Sequence, residues 1–230
     1  MKITIQFFLL LITSNLFGQK FPLAIELTKD SDTAFWYNYY LKDIERLNLI
    51  EPGSDTNFLR VSSSKYLLEL SPTSNRIFFY VKEIWDNVQT GELFIKSYEL
   101  TPRQVNEIEN LYKELDIQQI PSDKLIKNWQ QGFDGITYII ERKDGRLYSF
   151  KNYWTPSSQY KFDESRRILT FTSAIDEIVD YSSKRKDFEK EIPFYGWTYN
   201  NSMITIKVIS NTKAYRKYKR KKKKQLRNGK

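Results

Sequence analysis

Two acidic residues, Asp134 and Glu141, flank a strand-like stretch and could form a carboxylate pair for glycan hydrolysis. Seven residues of straight strand would separate them by about 23 Å, at about 3.3 Å per residue. The acid–base pairs of glycoside hydrolases lie roughly 5–9.5 Å apart. Turn chemistry alone explains the Asp-Gly pair at position 134, and Glu141 is expected on a solvated strand face. A carboxylate-dependent glycan hydrolase is therefore a lesser alternative, since it would need a pair drawn from separate elements.

The chain contains no histidine and no cysteine, and this removes most other catalytic chemistry. It excludes a Ser-His-Asp triad, a cysteine nucleophile, and zinc or iron–sulfur sites that need His or Cys ligands. The sequence also has no phosphate-binding or dinucleotide-binding glycine pattern and no calcium-binding loop motif. We therefore predict a non-enzymatic protein without a cofactor, a metal site or a disulfide.

The C-terminal sequence KAYRKYKRKKKKQLRNGK, residues 213–230, holds eleven of the 37 Lys and Arg residues and no acidic residue. One further cation, Lys207, follows the last acidic residue, Glu191. Residues 1–191 hold 25 cations against 28 acids, a net charge of −3, although the whole chain carries +9. The positive charge therefore belongs to the end of the chain, which is typical of an interaction tail.

Such a tail is expected to bind polyanions at low salt through the release of counterions. Tyr215 and Tyr218 lie between its cations and could add stacking on bases. A solvated, disordered end without a partner is the alternative. The cations that we predict to contact a polyanion are Arg216, Lys217, Lys219, Arg220, Lys221, Lys222, Lys223, Lys224 and Arg227.

The five tryptophans offer a second kind of binding surface, because exposed aromatic side chains can stack on sugars or bases. Trp36 falls on an amphipathic stripe and Trp85 ends a strand-like run, so both are expected in the core. Trp129 lies in a polar loop, and Tyr153 and Trp154 form an aromatic pair at a strand end. These last three residues are our candidates for surface contacts.

The N-terminal sequence MKITIQFFLLLITSNLFGQ has the order of an export signal. Lys2 precedes a mostly apolar stretch, residues 3–16, which is shorter than the roughly 20 residues of a transmembrane helix. Gly18 supplies a small residue near the expected cleavage site, although Leu16 is not small. We predict a signal peptide over residues 1–19, export to the periplasm or the extracellular space, and no transmembrane span in the mature chain. The alternative is a buried N-terminal strand or helix.

The predicted elements are one helix, three strands, a second helix, two strands, a third helix and a weak final hairpin. The predicted helices cover residues 32–48, 101–116 and 160–181. The predicted strands cover residues 58–70, 76–85, 92–100, 136–143, 146–154, 194–199 and 203–209. Because strands occur in runs with short links, the fold class is α+β, with an antiparallel sheet (a meander plus a hairpin) packed by about three helices. A disordered basic C-terminal tail completes the prediction.

Two local signals are specific. Thr101, Pro102 and Gln104 form a capping box with proline at the first helical position. The dipeptide at positions 144–145, Asp-Gly, favours a type I′ hairpin, which would place Glu141 opposite Tyr148. The charged residues after the third helix are expected to be a connection rather than an element.

Residues 100–179, about a third of the chain, contain a helix, the pattern DG-x-x-Y-x-I-E, a Tyr-containing strand and the pattern Y-W-x-P. The residues concerned are Asp134, Gly135, Tyr138, Ile140, Glu141, Tyr148, Tyr153, Trp154 and Pro156. This stretch resembles a pattern in uncharacterised secreted proteins of Bacteroidota-type bacteria. The resemblance implies a folded, exported unit and brings no activity with it.

These observations divide the chain into a signal peptide (1–19), a single α+β domain (20–210) and a polybasic tail (211–230). We predict an exported, non-enzymatic binding or structural protein whose tail contacts an anionic envelope surface, either lipid or polysaccharide. The alternative is a cytoplasmic nucleic-acid-binding protein that keeps its N-terminal segment and uses the same tail.

Overall fold

We describe the protein from a computed structural model, which covers residues 25–132, 134–199, 202 and 204–228. The predicted signal peptide, residues 1–19, lies outside the described residues.

A nine-stranded sheet forms the centre of the fold. Its strands are β1 (Glu26–Leu27), β2 (Phe58–Ser62), β3 (Leu67–Leu70), β4 (Asn75–Trp85), β5 (Val88–Glu99), β6 (Thr137–Asp144), β7 (Leu147–Trp154), β8 (Gly196–Tyr199) and β9 (Thr205–Lys207). The spatial order is β1-β7-β6-β2-β3-β4-β8-β9, and β5 also pairs with β4. The described pairings are antiparallel, apart from the parallel pairing of β1 with β7. The antiparallel α+β class is confirmed, with a larger sheet than predicted.

The long strand β4 joins the two parts of the sheet. It pairs with β5 along one edge from Arg76 to Trp85, so β3 and β8 must share its other edge. β3 pairs with residues 75–78 of β4, and β8 pairs with residues 81–83. The pairing with β5 shifts register between Lys82 and Ile84, which sets Glu83 at an irregularity near the end of the strand.

Five α-helices pack around this sheet in the described part of the chain. They are α1 (Trp36–Leu47), α2 (Pro102–Glu114), α3 (Asp163–Ile178), α4 (Tyr181–Glu191) and α5 (Lys213–Asn228). Helices α2, α3 and α4 share one core cluster with Leu59 and Val61 of β2, whereas α1 shares the other with Phe58. Alternate strand residues therefore face opposite helical layers, as the period of a strand requires.

The capping box of α2 is confirmed. The Gln104 backbone N–H donates to Thr101 Oγ1 at 3.3 Å, and the Thr101 backbone N–H donates to Gln104 Oε1 at 2.9 Å. The Gln104 side chain also donates to the Ile178 carbonyl oxygen at the end of α3, at 2.7 Å. The cap therefore fixes the start of α2 and also ties it to α3.

Two predicted elements have different bounds in the structure. Residues 58–70 form two strands instead of one, because Ser63 and Tyr66 close a turn through a backbone hydrogen bond of 3.0 Å. The Ser63 hydroxyl also accepts from the Lys65 N–H, at 3.1 Å. A run of three serines at positions 62–64 offers side-chain acceptors that compete with the strand ladder, and this explains the turn.

The segment predicted as a charged connection is the helix α4. Its one fully buried residue, Phe188, stacks on Phe94 with ring centroids 5.3 Å apart. Arg185 and Glu189 of this helix form an ion pair at 2.6 Å with the i,i+4 spacing that supports helices. A single aromatic anchor is too weak a periodic signal to identify this helix from its sequence.

The hairpin of β6 and β7 is confirmed, but its predicted register was wrong by two residues. Asp144 pairs with Leu147, so the turn residues are Gly145 and Arg146. Gly145 has φ 57°, whereas Arg146 does not have a positive φ, so the turn fits type II′ rather than type I′, which requires a positive φ at both central residues. Glu141 consequently pairs with Phe150 instead of Tyr148.

Candidate functional site

The two carboxylates considered for catalysis do not form a site. Asp134 is exposed in the loop before β6, whereas Glu141 is completely buried within that strand. The expectation that Glu141 lies on a solvated strand face was therefore wrong. Its strand face is the one covered by α1, and a buried carboxylate there needs a partner.

That partner is Arg60, which is also completely buried and lies between two carboxylates. Arg60 Nε donates to Glu69 Oε2 at 2.8 Å, and Arg60 Nη1 donates to Glu141 Oε2 at 3.3 Å. The Tyr148 hydroxyl donates to Glu141 at 2.6 Å, and Arg60 Nη2 donates to the carbonyl oxygen of Ile50. The cluster ties β2, β3 and β6 to the loop that follows α1.

The electrostatics of this cluster follow from its burial. Burial raises the pKa of Glu141 above its ordinary value, although Arg60 and the Tyr148 hydroxyl act in the opposite direction. For Arg60, burial alone would lower the pKa, but Tyr40 and the two carboxylates outweigh it and leave the pKa raised. Because Arg60, Glu69 and Glu141 have no exposed surface, no glycan can reach them. The cluster organises the fold and does not support glycan hydrolysis.

Two of the three aromatic residues predicted as surface contacts lie in the core. Trp129 and Tyr153 are 7% and 0% exposed, which corrects their prediction as surface contacts. The Trp129 ring stacks on Phe162 with centroids 5.7 Å apart, and its indole N–H donates to the Trp154 carbonyl oxygen at 3.0 Å. Trp154 is half-buried under a loop. A Cβ added to Gly132 would lie 2.6 Å from its ring, so the loop needs glycine there.

The basic C-terminal segment is a helix over Lys213–Asn228, which corrects the prediction of a disordered tail. It docks on the sheet through residues spaced three and four apart, which share one side of a helix. The rings of Tyr215 and Tyr218 each lie 4.9 Å from the ring of Tyr195, which precedes β8. Tyr218 also meets the ring of Trp85 at 5.6 Å. This aromatic contact gives α5 an inner side, so the two tyrosines are not free to stack on bases.

A buried ion pair completes the docking contact. Glu83 of β4 is 0% exposed, and its carboxylate accepts from Lys222 Nζ at 2.6 Å and from the Tyr218 and Thr90 hydroxyls. Burial by itself would raise the pKa of Glu83, but these three hydrogen bonds outweigh it and leave the pKa below its ordinary value. Glu83 is therefore ionised at neutral pH and matches the charge of Lys222.

Eight further cations of α5 are exposed. We call them the outer face, and its members are the exposed residues Lys213, Arg216, Lys217, Lys219, Arg220, Lys221, Lys223 and Lys224. At 1.5 Å per residue, the eleven steps from Lys213 to Lys224 extend this positive surface over about 17 Å. Lys222 is only 8% exposed and paired, which corrects its prediction as a polyanion contact. The side chain of Arg227 lies outside the described residues.

The sequence identified the cations of α5 but not the contacts that fix this helix to the sheet. The spacing of Tyr215, Tyr218 and Lys222 was a visible signal for one side of a helix. Nothing local marked Glu83 as the partner, because it lies 139 residues before Lys222 in the chain. Glu83 also lies at the irregularity in β4, which no sequence pattern indicated.

The described residues contain no cluster of acidic side chains that could hold a metal ion. None of the helices in the part of the chain that the structure describes is long and apolar enough to cross a membrane. No family model, curated protein or solved structure matches this chain. The resemblance to secreted bacterial proteins therefore stays a prediction, and function must be argued from the outer face itself.

Proposed function

We propose that the protein is an exported, non-enzymatic binding protein whose outer face of α5 contacts an anionic surface of the cell envelope. The observation that carries this proposal is the two-sided character of α5. Its inner side is fixed to the sheet by the two tyrosines and the Glu83–Lys222 pair, while eight cations stay exposed on the outside.

A docked helix is a better binding surface than a free tail of the same composition. Ordering a flexible segment on binding costs conformational entropy, and a segment that is already fixed avoids this cost. The like charges at i,i+3 and i,i+4 positions of α5 repel one another, and an isolated helix of this composition would be marginal. Docking therefore keeps these cations close together in spite of their mutual repulsion, and binding of an anionic partner reduces that repulsion.

Export is supported by the signal-like sequence of residues 1–19, and an envelope surface supplies the anionic partner in that compartment. The mass of the N-terminal peptide, measured on protein from the native host, tests this step. Loss of residues 1–19 or of a closely similar length supports export. Retention of an intact Met1 segment contradicts it.

The binding proposal is tested by neutralising the middle of the outer face. The variant K217Q/R220Q/K221Q/K224Q keeps the inner side unchanged. Each basic residue near an anionic membrane contributes about 1 kcal/mol, so four substitutions are expected to weaken binding by about 4 kcal/mol at low salt, roughly a thousandfold. Binding is measured by co-sedimentation with vesicles that contain phosphatidylglycerol.

The matched control is K42Q/K113Q/K161Q/K186Q, which removes four exposed lysines from other parts of the surface and changes the net charge equally. It is expected to bind nearly as well as the unchanged chain. Equal binding by the outer-face variant and the unchanged chain would show that α5 is not the contact surface. Tight binding to duplex DNA without binding to vesicles or heparin would favour the nucleic-acid alternative.

A further inference from the structure

The strand β5 has an unpaired edge in the part of the chain that the structure describes. It pairs with β4 alone, and this pairing has a regular register from Leu93 to Glu99. The outermost strands β1 and β9 have two and three residues, whereas β5 has twelve. The side chains of Ile95, Ser97 and Glu99 are exposed. A long strand with an unpaired edge offers a row of backbone donors and acceptors to another strand.

The hydrogen bonds between β4 and β5 determine which backbone groups face this edge. The Leu100 N–H donates to the Asn75 carbonyl oxygen at 2.9 Å, so these opposed residues form a hydrogen-bonded pair in the register of the two strands. Hydrogen-bonded pairs alternate with the other kind along an antiparallel ladder, so β5 bonds to β4 through residues 94, 96 and 98. The N–H and C=O groups that point away from β4 are therefore those of residues 93, 95, 97 and 99.

The sequence of residues 92–96, ELFIK, is self-complementary in an antiparallel pairing. A twofold axis at Phe94 places Glu92 of each copy opposite Lys96 of the other. The same register opposes Leu93 and Ile95, whose backbone groups face the edge, so these two pairs would be hydrogen-bonded. Opposite charges and apolar side chains at directly opposed positions stabilise antiparallel strands, whereas like charges destabilise them.

The charges of this segment favour a second copy of the chain over an unrelated strand. A lysine on an edge strand normally opposes pairing, because the incoming strand must accommodate its charge. Lys96 Nζ contacts Glu191 Oε1 at 2.7 Å, and an ammonium group has three donors, so it can bind a second carboxylate. Glu92 is exposed, and in the register given above β5 itself supplies that carboxylate.

We propose that two copies of the protein pair through the free edge of β5, antiparallel about Phe94, and form a symmetric dimer with one continuous sheet. Twofold dimers are the commonest oligomers, and their interfaces must be self-complementary in this way. One short segment from each copy makes the contact, so the interface is small and the dimer should dissociate on dilution. This inference goes beyond the proposed function and does not depend on α5.

The test measures the mass of the full chain by analytical ultracentrifugation over a range of concentrations. The variants E92K and K96E each place like charges in both opposed pairs, and each should raise the dissociation constant of the dimer about thirtyfold. The double variant E92K/K96E restores opposite charges and should regain dimerisation. A mixture of E92K with K96E should form mixed dimers, because each opposed pair then joins a lysine to a glutamate.

The matched controls E114K and K113E each reverse one exposed charge on α2 and should leave the dimer unchanged. Hydrogen exchange tests the backbone contact, since the amides of Leu93 and Ile95 should exchange more slowly as the concentration rises.

A chain that stays monomeric up to about 1 mM would overturn the inference. A dimer that E92K and K96E do not weaken would have its interface elsewhere, which would also overturn it. Neither result affects vesicle binding by the outer face, so the proposed function is tested separately.

Discussion

Replacing Glu83 with glutamine should release the basic helix from the sheet. The substitution keeps the shape of the side chain and removes the charge that pairs with the buried ammonium group of Lys222, whose side chain is 10% exposed. Removing one partner of a buried ion pair typically costs about 3–5 kcal/mol. Because α5 docks on the sheet through side-chain contacts, it can undock and hydrate Lys222, and the loss is therefore limited to the docking free energy of the helix.

Limited proteolysis with trypsin measures this release, since the protease cuts after Lys and Arg and needs a locally unfolded segment. An undocking cost of about 3 kcal/mol corresponds to a rise of roughly a hundredfold in the rate of cleavage within Lys213–Asn228. The matched control is Glu99→Gln, an exposed glutamate on the neighbouring strand β5, and it should leave the rate unchanged.

A second substitution distinguishes the ion pair from general damage to the strand. In the variant E83Q/K222M neither charge is buried, so its cleavage rate should fall below that of E83Q. If trypsin cleaves α5 no faster in E83Q than in the unchanged chain, the Glu83–Lys222 pair does not hold α5 in place. If E83Q/K222M is cleaved faster than E83Q, the two residues are not coupled as the structure indicates.

Two further predictions concern pH and the interior. The folded-state pKa of Glu83 is lowered below its ordinary value of 4.5, so its stabilising effect is complete above that value and is lost as the pH falls through the lower folded value. Hydrogen exchange of α5 amides, compared with those of α2, should show this loss as the pH falls below 4.5, and the loss should be absent in E83Q. Equal behaviour of the two proteins would contradict the assignment. Replacing Arg60 with methionine leaves two fully buried carboxylates without their cation, and it should lower the free energy of unfolding by about 3–5 kcal/mol in urea titrations. A loss below about 1 kcal/mol would mean that the cluster is relaxed or hydrated in solution.

The elements that could be predicted from the sequence are those with strong local signals. The capping box at Thr101 and the apolar stripe of α1 specify their helices with contacts a few residues apart. The β6–β7 hairpin was evident from alternation around a glycine. Its register was not, because type I′ and type II′ turns both accept a central glycine, and Gly145 alone does not decide whether Asp144-Gly145 or Gly145-Arg146 forms the turn.

The features that could not be predicted depend on contacts between distant residues. Arg60 and Glu141 lie 81 residues apart, and each is surrounded in sequence by residues that do not reveal the other. A charged residue inside an apolar strand run was the available clue, and it is compatible with either a solvated face or a buried pair. The helical state of Lys213–Asn228 likewise comes from its tertiary contact with Glu83 and Tyr195, which outweighs the mutual repulsion of its cations.

The most direct test of the central claim is the binding of the full chain to vesicles with and without phosphatidylglycerol, at low salt and then at increasing salt. The account predicts binding to the anionic vesicles only, weakening as salt screens the outer face, and its near-complete loss in K217Q/R220Q/K221Q/K224Q. Equal binding to neutral and anionic vesicles, or full binding by that variant, would contradict the claim that the docked basic helix is the binding surface.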